Sequence, residues 1–304
     1  MDSRTRSPLQ RTRAFSFTVA LALLCATLTG CSTTAKLDAF ADLSKAGVAY
    51  VDAANAVVAQ AAESSIAADT SNLVANRDSS AKRRLEDLSQ HTKALVTQLG
   101  LFADIRRHQG LVKEYFVALG ALANAGDADS SIGTAASGTL TALGALSKKF
   151  AEAKVGGLAL PDFAAQATPL VVANLRARAL EQELRKNGAV INRELLVSEN
   201  LMAFLAEKIR SESRRIQGPK ETEAVFNPYV NQERLPADWA ATRASFLRYS
   251  ADVESVAAAQ DAARELRLAL AAAAEDRLAP GQLQLLINDL SNLVDILEKV
   301  KRSP

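Results

Sequence analysis

Apolar residues recur at alternating spacings of three and four along most of the chain after residue 36, and this spacing limits the fold more than any other feature. It places the apolar side chains on one stripe of an α-helix. The C-terminal segment is the clearest case. Its stripe needs a cover, and we expect the chain's own bundle to supply it, because the preceding helix has a compatible apolar face and the connection is short. The stripe consists of Leu283, Leu286, Leu290, Leu293, Leu297 and Val300.

Turn-forming residues divide the chain into long helical segments, and no run of alternating β-branched residues indicates a sheet. The sequence therefore predicts an all-α fold, an elongated antiparallel bundle of about five to six helices, several of them long. Small residues on the seams, such as Gly47, would let the helices approach closely. The predicted helices cover residues 36–75, 80–125, 130–154, 161–217 (with Pro169 and Asn187-Gly188 as candidate kinks), 237–277 and a last segment opened by Pro280-Gly281.

The first 30 residues have the features of an export signal. Four arginines precede an uncharged, mostly apolar run over residues 15–28. A run of about 14 residues is too short for a membrane-spanning helix, which needs about 20, but it suits a signal peptide. Thr12 separates Arg11 from Arg13, so the general secretion route is favoured over twin-arginine export.

The four residues that follow the apolar run, Leu28-Thr29-Gly30-Cys31, resemble the lipobox of bacterial lipoproteins. Thr29 is the departure from the commonest pattern. The resemblance implies that residues 1–30 are removed, that Cys31 carries a diacylglyceryl thioether and usually an acyl chain (palmitate) on its amine, and that residues 31–36 tether one helical domain, residues 37–304. In this family, Ser32 in place of Asp favours the outer membrane, with the protein facing the periplasm.

Charge and cysteine content exclude two further features. The first 30 residues hold four arginines and one aspartate, so their removal changes the formal net charge from +2 to −1. The mature chain therefore has no positive excess that would attract nucleic acid. The chain has two cysteines, Cys25 in the removed segment and Cys31 at the lipid anchor, so we expect no disulfide in the mature protein.

Candidate catalytic and metal-binding residues are few. The two histidines each follow a carboxylate by four positions, as Asp87–His91 and Asp104–His108. Such pairs are ordinary partners on a helix surface. On one straight helix the histidines would be about 25 Å apart, too far to share a metal ion. Ser79 and Lys82 have the spacing of a Ser-x-x-Lys nucleophile motif, but its companion motifs are absent, as are phosphate-binding glycine loops. We therefore expect no catalytic residues, no metal and no cofactor.

The longest stretch without helical spacing, residues 218–236, is the best candidate for recognition. It contains Phe226 and Tyr229, and Trp239 follows it. Long loops are often functional, and Tyr and Trp favour interfaces, so these three residues are the predicted partner-binding site. The alternative is an ordered crossover whose aromatic side chains pack on the end of the bundle.

These observations favour a non-catalytic, lipid-anchored protein of the bacterial envelope, a helical scaffold or partner-binding module. Its expected partners are membrane lipid, through Cys31, and another envelope protein. One alternative is a membrane-active, pore-forming-like protein that uses the uncharged segment 130–147, although its many Ser, Thr and Gly residues disfavour a membrane span. The other alternative is an enzyme of unrecognised chemistry.

Overall fold

The computed structural model describes residues 11–77, 80–125, 130–152, 154–155, 158–159, 170–172, 178–279 and 281–302, with side chains from Leu37 onward except at residues 125, 130, 131, 151, 154, 155, 158 and 159. A short antiparallel pair, β1 (Lys154–Val155) and β2 (Leu158–Ala159), follows the third helix. The helices are α1 (Arg11–Ala75), α2 (Ala81–Ala125), α3 (Ser130–Glu152), α4 (Arg178–Glu221), a π-helical turn (Thr222–Phe226), α5 (Asn227–Asn231), α6 (Trp239–Ser255), α7 (Ala258–Ala274) and α8 (Gln282–Arg302).

The predicted all-α bundle is confirmed. Helices α6 and α7 together occupy the segment predicted as one fifth helix, interrupted at residues 256 and 257. Counted as one, and with the single-turn α5 set aside, they give six helices in the described part of the chain, as predicted. The two-residue strands β1 and β2 are too short to change the class.

Two antiparallel hairpins form the frame of the bundle. Helices α1 and α2 form the first, and α4 with α6–α7 forms the second. In both hairpins, the hydrogen bonds between the two helices keep one antiparallel register over several turns. The seam between the helices is therefore continuous. The bonds that define the registers are Ser65–Gln98, Lys113–Asp52 and Ser44–Phe116 in the first hairpin, and Tyr249–Ser213, Arg210–Glu254 and Arg267–Glu199 in the second.

The first helices of the two hairpins run in the same direction. Helix α3 runs antiparallel to α2 but parallel to α4, since Ser137 contacts Asn187 and Ser147 contacts Glu194. Helix α1 is also antiparallel to α2, so α1, α3 and α4 share one direction. The starts of α1 and α4 therefore lie at one end of the bundle, here called the proximal end. The turns of both hairpins lie at the opposite, distal end.

Small residues on the seams allow close helix packing, as the sequence predicts. Gly47 on α1 faces the ring of Phe116 on α2, which is fully buried. A Cβ atom at position 47 would lie 2.2 Å from Cγ of Phe116. This distance is far below van der Waals contact, so the position requires glycine.

Substituting this glycine should therefore be costly. Gly47→Ala is expected to destabilise the fold by about 1–3 kcal/mol, the usual cost of overpacking. Gly100→Ala is the matched control, because Gly100 lies inside α2 and a Cβ atom there would have no neighbour within 4 Å. It should gain up to about 1 kcal/mol from helix propensity. Chemical denaturation measures both. Equal midpoints for the two variants would contradict this packing.

The apolar stripe of α8 is covered by the protein's own helices, as predicted. All six of its members are buried, with exposed fractions of 2–6%. The helix packs against α1 as well as against α6 and α7, so the predicted fifth helix is only part of its cover. The end of α8 lies beside the last third of α1, where Lys301 approaches Glu63.

The fourth helix differs from the prediction at its start and at Gly188. It begins at Arg178 rather than at 161, and residues 170–172 are not helical. The segment 161–169, with Pro169, lies outside the described residues. Helix α4 continues through Gly188 without interruption. Leu170 packs against this glycine, and Cδ1 of Leu170 lies 3.0 Å from the position that a Cβ atom of residue 188 would occupy. Gly188 makes room for the incoming segment and is not a helix break.

Candidate functional site

The predicted recognition loop, residues 218–236, is mostly helical, so its prediction as a loop was wrong. Helix α4 continues to Glu221, and the π-helical turn and α5 extend the helical path to Asn231. Pro219 lies inside α4. A proline removes one helical N–H and crowds the preceding turn, but it does not always end a helix. The wider π-helical turn follows directly, and such turns are frequent at functional sites.

The three predicted binding residues lie together at the distal end but differ in burial. The rings of Tyr229 and Trp239 stack, with centroids 5.5 Å apart and planes at 21°. Trp239 also donates its Nε1–H to the carbonyl of Val225 at 3.0 Å. Trp239 thus joins the start of α6 to the π-helical turn. Phe226 and Tyr229 remain 55% and 65% exposed.

Exposed apolar residues surround both distal turns and form what we call the distal surface. By helix rise, Ala75 and Phe226 lie about 38 Å and 42 Å beyond the central Tyr50–Ser198 contact, so the two hairpins reach a similar height. Exposed apolar groups often mark interaction sites when they are contiguous, as Tyr229 and Val230 are. The distal surface comprises Val74, Leu85 and Leu88 on the first hairpin and Phe226, Tyr229, Val230, Leu235 and Leu247 on the second.

A second feature, which the sequence reasoning missed, is a buried polar cluster in the middle of the bundle. Tyr50 on α1, Gln109 on α2 and Ser198 on α4 share one hydrogen-bond network. The Tyr50 hydroxyl lies 2.6 Å from Ser198 Oγ, and Gln109 donates its Nε2–H to the same oxygen at 2.7 Å. Burial is the main reason that the pKa of Tyr50 is raised, so its hydroxyl stays protonated.

The same cluster contains Glu194, a carboxylate with no solvent exposure. His108 Nε2 lies 3.2 Å from one carboxylate oxygen, which also accepts a hydrogen bond from Ser147. Arg193 Nη2 donates to the other oxygen at 2.6 Å. Burial alone would raise the pKa of Glu194, but the hydrogen bonds from His108, Ser147 and Arg193 outweigh it and hold this pKa below its ordinary value.

Both histidine pairings predicted from the sequence are wrong. His108 is fully buried and faces Glu194, whereas Asp104 binds Lys149 on α3. His91 contacts Asp69 across the first hairpin, with 2.6 Å between Nδ1 and Oδ1. Spacing of four along one helix allows a pair, but tertiary packing supplied each histidine with a carboxylate from another helix.

The cluster could have been suspected from the spacing on α4. Glu194 and Ser198 occupy the same stripe as Ile191, Leu201 and Leu205, all of which are buried. Polar residues on an apolar stripe indicate a buried network or a functional group, because an unpaired buried polar group is costly.

The chemistry open to these residues is restricted by their surroundings. His108 and Glu194 have no exposed surface, so a substrate in solution does not reach them in this conformation. Within the described ranges, no group of three or more His, Cys, Asp or Glu side chains could hold a metal ion. The same part of the chain contains no helix with the length and apolar character needed to cross a membrane.

The predicted lipidation site belongs to the first half of α1. Residue 31 lies within this helix, and its side chain is outside the described part. Comparison with known proteins adds no relative: no family model, no curated protein and no solved structure matches this chain.

Proposed function

We propose that this protein is a non-catalytic, lipid-anchored scaffold of the bacterial envelope, which binds another envelope protein through its distal surface and faces the periplasm. The observation that carries the proposal is the sequence Leu28-Thr29-Gly30-Cys31 directly after a positively charged and apolar N-terminal segment. The absence of Asp at position 32 supports the outer membrane as the site of anchoring.

The direction of α1 supports the division of the molecule into an anchored end and a binding end. Cys31 precedes the described side chains at the proximal end of α1, and the two hairpin turns lie at the other end of the bundle. Along α1, Cys31 and Ala75 are about 66 Å apart by helix rise. The distal surface would therefore bind its partner well away from the lipid headgroups.

The burial of the acid–base residues supports a non-catalytic role. Glu194 and His108 bind each other across α2 and α4, and the surrounding hydrogen bonds join four helices. Such networks commonly fix a unique packing arrangement of the helices. We assign this cluster to the structure of the scaffold.

Lipidation has a direct test. Cys31→Ala should abolish labelling of the protein by a fatty-acid analogue in cells, because the acceptor thiol is lost. It should also block cleavage before position 31, so the precursor accumulates. Labelling is read by gel and cleavage by intact mass. The unrelated Cys25→Ala serves as the control and should be labelled and cleaved as the native chain is. Normal labelling of the Cys31→Ala protein would refute the anchor.

Partner binding at the distal surface can be tested by site-specific photo-crosslinking in cells. A crosslinking residue at Val230, which is 73% exposed beside Tyr229, should give one discrete adduct. The same residue at Leu268, which is 50% exposed on α7, is the control and should not. Combining the Val230 crosslinker with Phe226→Ala and Tyr229→Ala should reduce the yield of the adduct at least about tenfold. This is the effect expected from a loss of roughly 1.4 kcal/mol of binding free energy. Equal adducts from both positions would contradict the proposal.

A further inference from the structure

The start of α4 carries a basic face, made of Arg178, Arg185 and Lys186 with Gln182 between them. All four residues are exposed. Positions 178, 182 and 185 follow the three-four spacing of one helix stripe, and 186 lies beside it. Together they line an open groove at the surface, where Glu181 is partly buried and pairs with Arg185 at 2.8 Å.

This basic face lies at the height of the predicted lipid anchor. Helices α1 and α4 run parallel, and the contact between Tyr50 and Ser198 fixes their relative height. Counting back by helix rise, Cys31 lies about 29 Å below this contact and Arg178 about 30 Å below it. Arg185 and Lys186 lie about 10–12 Å above Arg178. The basic face therefore begins at the level of Cys31 and extends about one screening length above it.

Two of the acidic side chains described at the same end are paired with neighbouring cations. Asp42 on α1 binds Lys45 at 2.8 Å, and Glu275 in the turn after α7 binds Arg277. The α4 face carries three cations and one paired carboxylate. The positive end of the α4 helix dipole lies beside it and adds to the field.

We propose that this face binds the anionic phospholipid headgroups of the membrane that holds Cys31, and that it keeps the base of the bundle against the bilayer. The inference rests on the proposed lipid anchor. Charge complementarity selects this occupant, since a surface rich in anionic lipid attracts cations held within a screening length of it. With the base held, the distal surface points away from the membrane.

The test uses the mature lipidated protein in vesicles of phosphatidylcholine, with and without phosphatidylglycerol. Gln182→Cys carries a fluorophore, and the bilayer carries an acceptor on its headgroups. Processing removes Cys25 and acylation blocks Cys31, so the introduced thiol is labelled specifically. Leu247→Cys, on exposed distal α6, is the control position. Phosphatidylglycerol should raise energy transfer from position 182 and leave transfer from position 247 unchanged.

Two further arms separate charge attraction from simple proximity. In about 1 M salt, where the screening length is about 3 Å, the added transfer should disappear. Changing Arg178, Arg185 and Lys186 to Gln should also remove the added transfer, because the loss of each cation weakens membrane binding about fivefold. The control replaces Lys220, Arg243 and Arg248, exposed cations toward the distal end, and should leave the transfer unchanged.

Equal transfer in the two kinds of vesicle would overturn the inference, as would native behaviour of the variant without the three basic residues. The salt and lipid arms use the native basic face and so do not depend on how that variant folds. Intact mass of the same samples reports the lipid on Cys31. A lipidated protein without base contact overturns this inference alone, whereas a protein without lipid overturns the proposed anchor as well.

Discussion

Leu290→Asp is expected to prevent folding, whereas Leu285→Asp on the same helix should leave a folded protein. Leu290 is 2% exposed in the stripe of α8, and Leu285 is 66% exposed on its outer face. The two substitutions introduce the same charge, so the difference between them measures burial. Leu290→Ala, which removes volume without adding charge, should cost about 2–5 kcal/mol and lower the melting temperature.

The size of the Leu290→Asp effect follows from the position of α8 in the bundle. This helix packs on α1 and on both parts of the α6–α7 segment, so its stripe completes the core between the two hairpins. A carboxylate at position 290 would lose its hydration without gaining a neighbouring cation. Its desolvation costs several kcal/mol, added to the lost leucine contacts. A whole domain has only about 5–15 kcal/mol of stability.

Circular dichroism and size-exclusion chromatography of the two variants provide the measurement. Loss of helical signal, or aggregation, is expected for Leu290→Asp, and a native-like monomer for Leu285→Asp. If Leu290→Asp also gave a folded monomer and lost only an association with another chain, α8 would be an interface and not part of the core.

The helices were predictable where apolar spacing alone decides the structure. The stripes of α1 and α8 are long, and each has one face to bury, so their packing follows from the pattern. On α2 the apolar spacing predicts burial correctly from Phe102 onward, whereas Leu85 and Leu88 at its start are exposed. The end of α1 at Ala75 and the end of α2 at Ala125 agree with the prediction. Gly47 on α1 marks a close approach between α1 and α2. Its partner, Phe116, is identified only by the tertiary register of the two helices.

The prediction of residues 218–236 as a loop is wrong because the local preferences of proline and glycine do not decide the structure there. Gly218, Pro219 and Pro228 each disfavour helix when taken alone, but Pro219 is accommodated inside α4 and Pro228 lies in the first turn of α5, where it is well tolerated. Trp239 then fixes the turn through its bond to the Val225 carbonyl. This long-range contact outweighs the local preferences, and nothing in the spacing of the segment indicates it.

The buried polar cluster shows a different limit of sequence reasoning. The partners of His108 are Phe150 on α3 and Glu194 on α4, which are far away along the chain. The spacing along α2 therefore predicted the wrong partner, Asp104, which binds Lys149 instead. The polar residues on the α4 stripe were detectable, but their partners depend on the relative register of four helices. The cluster therefore becomes predictable only after the packing is known.

Glu194→Gln and Glu183→Gln should shift stability at neutral pH in opposite directions, although both glutamates are buried on α4. The pKa of Glu194 lies below its ordinary value of 4.5, chiefly because its three hydrogen-bond donors outweigh the cost of burial. The pKa of Glu183 is raised, mainly by burial, and the hydrogen bond from Asn187 only partly opposes this. The folded state thus favours the charged form of Glu194 and disfavours that of Glu183.

The pH dependence follows from these signs. The contribution of Glu194 is present above about pH 4.5 and is lost as the pH falls through its lower, folded-state pKa. Glutamine has no charge to lose. Glu194→Gln should therefore cost about 1.5–3 kcal/mol at pH 7, the value of a hydrogen bond to a charged group, and should weaken the loss of stability in acid. Glu183→Gln should raise the melting temperature at pH 7, with a smaller gain below pH 4.5, where the native carboxyl is already protonated.

Thermal melts of the native chain and both variants between about pH 3 and pH 7, a range that spans the ordinary glutamate pKa, measure these differences. The comparison is matched in substitution, helix and burial, and differs in the number of donors around each carboxylate. Glu194 joins α2, α3 and α4, so its loss at neutral pH should also loosen the centre of the bundle, where amide hydrogen exchange would rise. If Glu194→Gln melted like the native protein over this whole range, the three donors would not stabilise a charged carboxylate, and the centre of the bundle would be held by its apolar contacts alone.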